Sequence, residues 1–342
     1  MHRANHLFDQ ICQHENLRRA FYHAARGRRY QFRVREFSDQ LDRRIKALAE
    51  SLSDGSITLG RFHQFVICDP KERVITAPDF EERVLHHAIM NILEPILDRW
   101  LIHDTYACRK EKGREAAVLR ARSFSQSNLW YLKLDIRKYF DNVHHGRILE
   151  LLERRIKDYR VLNLLAHILQ SYRGELGIGI PIGSLTSQHF ANFYLGWFDR
   201  FVKEQLGIHH YVRYMDDMVL WHSDRQYLKR CHERCLNFVS RELLLSIKPS
   251  EVQRTEDGMK FLGCKVFRTH VTLNGRSKKR YRRRYRFLTL AHSFGLISSK
   301  EFQHRINSLN AFATAATARS WKLRQSVLCS ILGERPLQAG NA

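Results

Sequence analysis

Residues 210–223 read HYVRYMDDMVLWHS, and this stretch decides the fold. The apolar and aromatic residues on either side of Asp216 and Asp217 are typical of two β-strands joined by a tight turn. The two carboxylates are therefore predicted to lie exposed at the end of a sheet. Adjacent like charges repel each other, so the arrangement is costly unless a cation shares them. The turn is accordingly predicted to bind a cation.

A third carboxylate, Asp135, ends a short strand with the sequence WYLKLD at residues 130–135. Strand ends in one sheet can bring Asp135, Asp216 and Asp217 together. A pair of Mg²⁺ ions about 4 Å apart needs such a set, because Mg²⁺ prefers oxygen ligands. One ion would activate an attacking 3′-hydroxyl and the other would steady the leaving pyrophosphate. An isolated Asp-Asp pair is more often a solvated turn, and the upstream Asp135 argues against that alternative.

Outward from these strands, the spacing of apolar residues alternates between helical and extended patterns. Helices are predicted at 7–24, 36–52, 80–99, 144–157, 160–172, 185–206, 224–243 and 300–328. Hairpins are predicted at 62–76, with a turn at Asp69-Pro70, and near 244–267. Strands and helices that alternate around one sheet predict an α+β fold.

The 342 residues include 58 Lys and Arg against 35 Asp and Glu, a formal net charge of +23. This charge indicates a polyanionic partner, because each cation on a phosphate releases condensed counterions. Residues 276–286 (RSKKRYRRRYR) are mostly cations, interleaved with Tyr281 and Tyr285. Such a run is often a solvated charge patch, a localisation signal or a dock for another protein. We favour contacts with a nucleic-acid backbone, with the tyrosines stacked on bases. The candidate cations are Lys278, Lys279, Arg280, Arg282, Arg283 and Arg284.

The sequence has no run of about 18 apolar residues, the length of a membrane span. Its first residues have no apolar run typical of a secretory signal, so a cytoplasmic protein with no membrane partner is predicted. The seven cysteines are odd in number and scattered, which favours reduced thiols over a disulfide framework. Cys231, His232 and Cys235 lack a second ligand pair at zinc-finger spacing, which argues against a zinc site.

Across residues 60–330 the sequence resembles reverse transcriptases, with six motifs in the order of that family. The motifs are PKERVI with Lys71 and Arg73, YACR with Lys112-Gly113, LDIRKYFDNV at 134–143, YMDD at 214–217, LLLSIKPSE at 243–251 and FLGCKVF at 261–267. The resemblance implies an α+β right-hand polymerase with fingers, a palm of antiparallel sheet plus helices, and a helical thumb. It implies an N-terminal helical extension at 1–60, fingers at 61–130, a palm with inserted fingers helices at 131–270, and a basic helical thumb at 271–342.

The resemblance also implies roles for single residues and for the ligands of the site. The catalytic residues would be Asp135, Asp216, Asp217 and Lys248, with Lys248 protonating pyrophosphate. The ligands of two Mg²⁺ ions, for which Mn²⁺ can substitute, would be Asp135, Ile136, Asp216 and Asp217. The dNTP site would include Lys71, Arg73, Ile182, Gln188 and Phe140, whose ring would exclude a ribose 2′-hydroxyl. The template RNA and the RNA/cDNA duplex would meet Tyr214, Met215, Phe261, Leu262 and Gly263.

Residues 180–188 (IPIGSLTSQ) indicate which subfamily of reverse transcriptases the sequence resembles. Most of the family carries Gln-Gly-x-x-x-Ser-Pro here, whereas this chain has Ile182 for the Gln and Gln188 for the Pro. Ile removes the donors and acceptors that an amide would offer to the incoming nucleotide. This variant resembles reverse transcriptases of diversity-generating retroelements, and the lack of a recognisable RNase H, endonuclease or maturase-like extension is also typical of them. That resemblance implies cDNA copied with errors at adenines from a template-repeat RNA, for targeted protein diversification. It further implies a small basic accessory variability protein as partner.

The sequence leaves two alternatives open. A retron or another antiphage-defence reverse transcriptase would share the palm motifs and serve a different RNA. An RNA-binding scaffold that keeps the fold without synthesis would be a protein of another class. The complete set of Asp135, Asp216 and Asp217 argues against the scaffold.

Overall fold

Helices and antiparallel strands alternate along the chain in the computed structural model, which describes residues 3–68, 72–172, 177–314, 327–329 and 331–332. The α+β class predicted from the sequence is confirmed. Within the described residues, no helix is both long enough and apolar enough to cross a membrane.

The helices occupy most of the predicted helical stretches. They are α1 (Phe8–Cys12), α2 (His14–Ala25), α3 (Phe32–Asp39), α4 (Leu41–Ser53), α5 (Phe80–Asp98), α6 (Arg114–Ser127), α7 (His145–Glu153), α8 (Tyr159–Ser171), α9 (Leu185–Arg200), α10 (Arg225–Glu242), α11 (Gly275–Ser293) and α12 (Ser299–Thr314). Short 3₁₀ turns lie at Tyr139–Asn142 and Thr255–Asp257, and a π-turn at Phe201–Gln205 follows α9.

The strands form three sheets among the described residues. They are β1 (Phe62–Cys68), β2 (Glu72–Pro78), β3 (Trp130–Asp135), β4 (Tyr211–Tyr214), β5 (Asp217–His222), β6 (Val252–Arg254), β7 (Met259–Phe261), β8 (Cys264–Val266) and β9 (Val271–Leu273). β1 and β2 form a hairpin, β4-β5-β3-β6 is the order of the four-stranded sheet, and β7-β8-β9 is the third sheet.

The chain divides into two compact units, each assembled from three separate stretches. Unit 1 comprises residues 1–103, 135–206 and 233–248. Its core includes the contact of α2 with α5, in which Leu17 of α2 and Leu85 and Ile89 of α5 are fully buried. Apolar residues three and four positions apart make one face of each helix apolar, which explains why these faces pack.

Unit 2 comprises residues 104–134, 207–232 and 249–342. Its core joins β4 and β5 to α6 and to the β7-β8-β9 sheet through Val212, Trp221, Val118 and Phe261, all of them buried. Trp221 also donates from its indole Nε1 to Ser125 Oγ on α6 at 3.1 Å. This core supports the hairpin that carries Asp216 and Asp217.

Several details differ from the elements predicted from the sequence, and one of them is a break at Gln40 within the predicted helix 36–52. The predicted helix 7–24 is broken at Gln13, whose backbone is extended and whose carbonyl accepts from Leu17 to start α2. Helix α6 was not predicted. The predicted helix 185–206 becomes a π-turn after Arg200. The hairpin predicted near 244–267 is shorter, since β7 pairs with β8 while Val252–Arg254 pairs with β3.

Candidate active site

The hairpin of β4 and β5 carries the acidic turn. Tyr214 pairs with Asp217, which leaves Met215 and Asp216 as the two turn residues. Met215 has a φ of 51°, a left-handed conformation that costs a non-glycine residue about 1 kcal/mol. The tight turn predicted from the sequence is confirmed, and it is a strained one.

Arg213 holds this turn from inside unit 2. Its side chain is fully buried, and its Nη1 donates to the carbonyl oxygen of Met215 at 3.3 Å. Its backbone N–H donates to the Asp104 carbonyl, and its own carbonyl accepts from the N–H of Tyr106, both at 3.0 Å. The motif that begins at Tyr106 therefore lies directly beside β4.

Asp217 is paired with a cation from the next strand of the sheet. Lys133 Nζ on β3 lies 2.7 Å from Asp217 Oδ1, and each side chain is 31% exposed. Lys133 and Asp135 are two residues apart on β3, so both point to the same face of the strand. Asp216, in the turn itself, is partly exposed.

Asp135 is paired with Lys248 within unit 1. Lys248 Nζ donates to Asp135 Oδ1 at 2.7 Å, and the backbone N–H of Lys248 donates to the Asp135 carbonyl at 2.8 Å. The N–H of Arg137 donates to the carbonyl oxygen of Ser246. Ile136 and Ile247 therefore face each other without a hydrogen bond between them. In such a pair the carbonyl of Ile136 turns away from the facing strand. A metal contact by Ile136 would therefore use that oxygen.

The carboxylates suit a divalent cation by their chemistry. The Asp135 side chain is 36% exposed and the Asp217 side chain 31%, so both can be reached from solvent. Both are anionic oxygen donors that already bind a lysine ammonium, and Mg²⁺ prefers ligands of this kind. No group of three or more His, Cys, Asp and Glu that could hold a metal occurs among the residues the structure describes. The two-ion site therefore stays a prediction.

The predicted nucleotide side of the site lies in unit 1, around β2. Arg73 is exposed on β2, and Lys71 lies outside the described residues. Thr76 N–H donates to the carbonyl oxygen of Ile182 at 2.8 Å, which fixes the 180–188 segment along the outer edge of β2. Gly183 makes this approach possible, because a Cβ there would lie 2.7 Å from the side chain of Ile75. In the register of the hairpin, Ile75 and Arg73 share a face of β2.

Phe140 follows β3 in the 3₁₀ turn and is partly buried, with its ring edge-on to Tyr139 at 5.7 Å between centroids. Its carbonyl accepts from the N–H of Ile180 at 2.8 Å, so the Phe140 turn and the start of the 180–188 segment are joined. Gln188 is exposed on the first turns of α9. The structure thus brings Phe140, Ile182 and Arg73 into one connected region of unit 1.

The β7-β8 hairpin contains the turn predicted to meet the template RNA and the RNA/cDNA duplex. Phe261 pairs with Cys264, and Leu262 and Gly263 form the turn with φ of 46° and 81°. Phe261 is buried, whereas Leu262 and Gly263 are partly exposed. Arg114 on α6 donates from Nε to the Leu262 carbonyl at 2.9 Å, which fixes the turn to unit 2.

The basic run lies on a regular helix, α11. Lys279, Arg282, Arg283 and Arg284 are exposed, whereas Lys278 and Arg280 are partly buried. Tyr281 is 1% exposed and its hydroxyl donates to Asn310 Oδ1 at 2.7 Å, so the prediction that it stacks on bases is wrong. The reason is that Tyr281 falls on the core-facing side of the helix. Tyr285 is partly exposed, with its ring 6.1 Å from that of Tyr281.

Three positioning residues were missed by the sequence analysis. Lys133 and Arg213 are basic residues within otherwise apolar strands, WYLKLD and YVRY, and that contrast is the signal that could have found them. Arg114 gives no comparable signal, because its role depends on a contact with Leu262 far along the chain.

A family model and curated relatives agree with the motifs. The family described as "Reverse transcriptase (RNA-dependent DNA polymerase)" matches residues 69–266. Protein YkfC of Escherichia coli is 24% identical, with 58% of this chain and 64% of YkfC covered. The group II intron-encoded protein LtrA of Lactococcus lactis is 25% identical, with 47% of this chain and 28% of LtrA covered.

Solved telomerase structures are also similar, at low identity. Apo telomerase from Candida tropicalis has a TM-score of 0.48 and 11% identity, with 80% of this chain and 62% of that chain covered. The chain spans less than two thirds of the length of YkfC, LtrA and this telomerase.

The family match begins at residue 69, between β1 and β2 in the sequence, and ends with the last residue of β8. Together with the antiparallel sheets and the helices, it confirms the predicted α+β fold of a right-hand polymerase. Because the match takes in more than half of the 342 residues, the chain belongs to the reverse transcriptase family.

Proposed function

We propose that the chain is an RNA-directed DNA polymerase that holds its metal ions with Asp135, Asp216 and Asp217. The observation that carries this proposal is the acidic turn of the β4-β5 hairpin, which holds Asp216 and Asp217 within the stretch that matches the reverse transcriptase family. Asp135, the last residue of β3, is the third carboxylate of the proposal. Bound Mg²⁺, or Mn²⁺ in its place, would supply Lewis-acid stabilisation of the transferred phosphoryl group, with Ile136 as a further ligand through its carbonyl.

The remaining residues bind and orient the substrates. Arg73 carries a positive charge for the triphosphate, and the ring of Phe140 limits space at the 2′ position of the sugar. Lys248 is fixed beside Asp135 by two hydrogen bonds, and we assign to its ammonium the proton given to pyrophosphate. The exposed cations of α11 and the turn at Leu262 and Gly263 contact the template RNA and the RNA/cDNA duplex.

Primer extension on poly(rA) with an oligo(dT) primer tests this activity. The parent chain is expected to extend the primer with dTTP and Mg²⁺. Asp216→Asn is expected to lose extension by several orders of magnitude, because the turn loses an anionic metal ligand. Asp42→Asn, which changes an exposed carboxylate on α4, serves as the control. Extension by Asp216→Asn at the rate of the parent would contradict the proposal.

For the biological role, we propose the copying of a template-repeat RNA with errors at adenines, as in diversity-generating retroelements. Support comes from Ile182 and Gln188, which replace the residues that most of the family carries. A small basic accessory variability protein would bind the polymerase and the RNA. Sequencing of cDNA made on the genomically adjacent RNA gives the error spectrum. Ile182→Gln is expected to reduce errors opposite adenine, and an unchanged adenine error rate would remove this support.

A second candidate role is the copying of an intron RNA. The observation that favours it is the similarity to the group II intron-encoded protein LtrA. The two roles differ in template and in error spectrum. Faithful cDNA copied from a flanking intron RNA would favour the second role over the first, and a retron-type RNA as template would favour neither.

A further inference from the structure

Three buried polar side chains join helix α5 to the segment that carries Ile182. Ser184 Oγ lies 3.0 Å from His86 Nδ1 and 2.9 Å from Thr186 Oγ1. His86 Nε2 lies 3.7 Å from Glu82 Oε1, and their side chains are 1% and 4% exposed. We call Glu82, His86 and Ser184 the buried network. Water does not compete for its contacts, so the three side chains depend on each other for hydrogen bonds.

The buried network also reaches the fingers hairpin. Glu82 Oε2 accepts from the backbone N–H of Gly60 at 2.9 Å, two residues before β1 begins. At the other end, Ser184 follows Ile182 and Gly183, whose segment is hydrogen-bonded to Thr76 on β2. Helix α5 therefore holds both the start of the hairpin and the segment that lies along its outer edge.

The hydrogen bonding of the buried network depends on a neutral imidazole. Burial lowers the pKa of His86 to about 3, and burial raises the pKa of Glu82. A neutral His86 has one N–H donor and one acceptor nitrogen, so one ring nitrogen donates while the other accepts. With the proton on Nε2, His86 points its donor at Glu82 and accepts from the Ser184 hydroxyl. With a protonated Glu82, the Nδ1 proton of His86 would instead point at Ser184. In both states, His86 bonds Ser184 and turns its other ring nitrogen toward Glu82, 3.7 Å away.

His86 Nε2 and Glu82 Oε1 have no hydrogen-bond partner in the structure. An unsatisfied buried polar atom costs about 1–3 kcal/mol. The two atoms need to approach by about 0.7 Å to reach normal hydrogen-bond distance. Both residues lie on α5, so a small side-chain rearrangement within the helix would complete the bond.

We propose that the buried network is a positioning device for nucleotide binding, which fixes the distance between β2 and the Ile182–Gly183 segment. The proposal rests on the proposed function, because that function assigns Arg73 and Ile182 to the dNTP site. The network lies on α5 and at the start of α9, whereas the catalytic carboxylates lie on other elements. Loss of the network is therefore expected to raise KM for the incoming dNTP and to leave kcat close to that of the parent.

Two substitutions of His86 separate its contact with Ser184 from its contact with Glu82. The amide of Asn reaches the position of Nδ1, and the amide of Gln reaches the position of Nε2. His86→Asn keeps the contact with Ser184 and loses the contact with Glu82, while His86→Gln does the reverse. His87→Gln on the same helix is the matched control, since His87 is outside the network.

Steady-state extension on poly(rA)/oligo(dT) measures KM and kcat for dTTP. His86→Gln and Ser184→Ala are each expected to raise KM about tenfold, the effect of one lost buried hydrogen bond, with kcat nearly unchanged. His86→Asn is expected to raise KM less than His86→Gln. The proposal would be overturned if His86→Asn and His86→Gln changed KM equally. It would also be overturned if kcat fell in these variants while KM stayed constant.

Hydrogen–deuterium exchange provides a readout that needs no enzymatic activity. Ser184→Ala is expected to accelerate exchange in peptides that cover 72–78 and 178–188, and to leave peptides of α10 and α11 at the parent rate. Faster exchange throughout the chain would contradict the positioning role, and so would an unchanged exchange rate at 72–78. An inactive parent with the expected local exchange would instead count against the proposed function alone.

Discussion

At the scale of single residues, the candidate site is a set of carboxylates that already have cationic partners. Lys133 pairs with Asp217, and Lys248 pairs with Asp135. Each lysine ammonium occupies a carboxylate oxygen that the proposed metal ion would bind. We therefore expect metal binding at either carboxylate to displace its lysine.

Lys133→Met tests this competition. Without the ammonium, Asp217 is expected to bind Mg²⁺ more tightly, so that half-maximal primer extension needs less Mg²⁺, by up to about fivefold for a partly exposed pair. A Mg²⁺ titration of extension rate measures the shift. Lys229→Met, an exposed lysine on α10, is the matched control. A higher Mg²⁺ requirement in Lys133→Met would show that Lys133 assists metal binding instead.

Phe140→Ala tests the sugar selectivity of the site. Removing the partly buried ring opens space beside the predicted 2′ position, and the preference for dNTP over rNTP is expected to fall by about 10–100-fold. Single-nucleotide incorporation of dTTP and UTP on poly(rA) gives the ratio of kcat/KM. Tyr139→Phe keeps the neighbouring ring and loses its hydroxyl contact with Ala191. A selectivity loss in Tyr139→Phe as large as in Phe140→Ala would assign the effect to the turn rather than to the ring.

At the scale of secondary structure, the acidic hairpin combines strain with support. Arg213 is buried and bonds the Met215 carbonyl, which stabilises a turn whose first residue is left-handed. The sequence was sufficient to predict this hairpin, because its strands are short, apolar and adjacent. It was not sufficient to predict the support, because Arg213 meets the Asp104–Tyr106 segment only after long-range folding.

Met215→Gly tests whether the strain is retained for function. Gly adopts a positive φ without the steric cost, so the free energy of unfolding is expected to rise by up to about 1 kcal/mol. The same change removes a side chain predicted to meet the template RNA or the RNA/cDNA duplex, so KM for the primer–template is expected to rise. Urea denaturation and primer-extension kinetics give the two quantities. Equal KM values for the parent and Met215→Gly would exclude such a contact by this side chain.

Helix α11 shows what a charge-based prediction leaves out. The charge of the run at 276–286 predicted contacts with a nucleic-acid backbone and gave no sign of a buried face, yet Ser277, Tyr281, Leu288 and Ala291 are buried along one face of the helix. Their spacing of four, seven and three residues is helical, and this periodicity was present in the sequence. The cations occupy the remaining faces, where they stay exposed or partly exposed.

Arg283→Ala and Arg284→Ala test the role of this helix. Each exposed arginine that neutralises a phosphate is expected to contribute about 0.7–0.9 to the slope of log K against log salt concentration. Binding of an RNA/DNA duplex measured from low to high salt gives the slope for each variant. Tyr281→Phe loses the bond to Asn310 and is expected to lower stability by about 1 kcal/mol without changing the slope. An unchanged slope in both arginine variants would place the duplex elsewhere.

At the scale of the whole molecule, the chain path is discontinuous. The fingers, palm and thumb boundaries predicted from the sequence are contiguous ranges and stay predictions, whereas each compact unit is built from three separate stretches. Sequence patterns report neighbours along the chain, so they predict elements well. They do not report which distant stretches share a core, as when residues 233–248 join the unit that starts the chain.

A chain shortened after Leu206 tests this organisation. It would keep two stretches of unit 1 and lose the third, including the buried Leu243 and Leu245. We expect this fragment to unfold without a cooperative transition, because its core is incomplete. Thermal unfolding followed by circular dichroism measures the transition. A sharp transition in the fragment would show that residues 233–248 are dispensable for the core.

Ile182 is attached to β2 by its main chain, through the carbonyl oxygen that accepts from Thr76, and Gly183 permits the close approach. The loop is thus anchored by atoms that every amino acid possesses. The side chain at position 182 can therefore change in evolution while the main-chain contact with β2 is kept. The proposed effect of residue 182 on copying accuracy would then be open to change at a single codon, with the main-chain anchor intact.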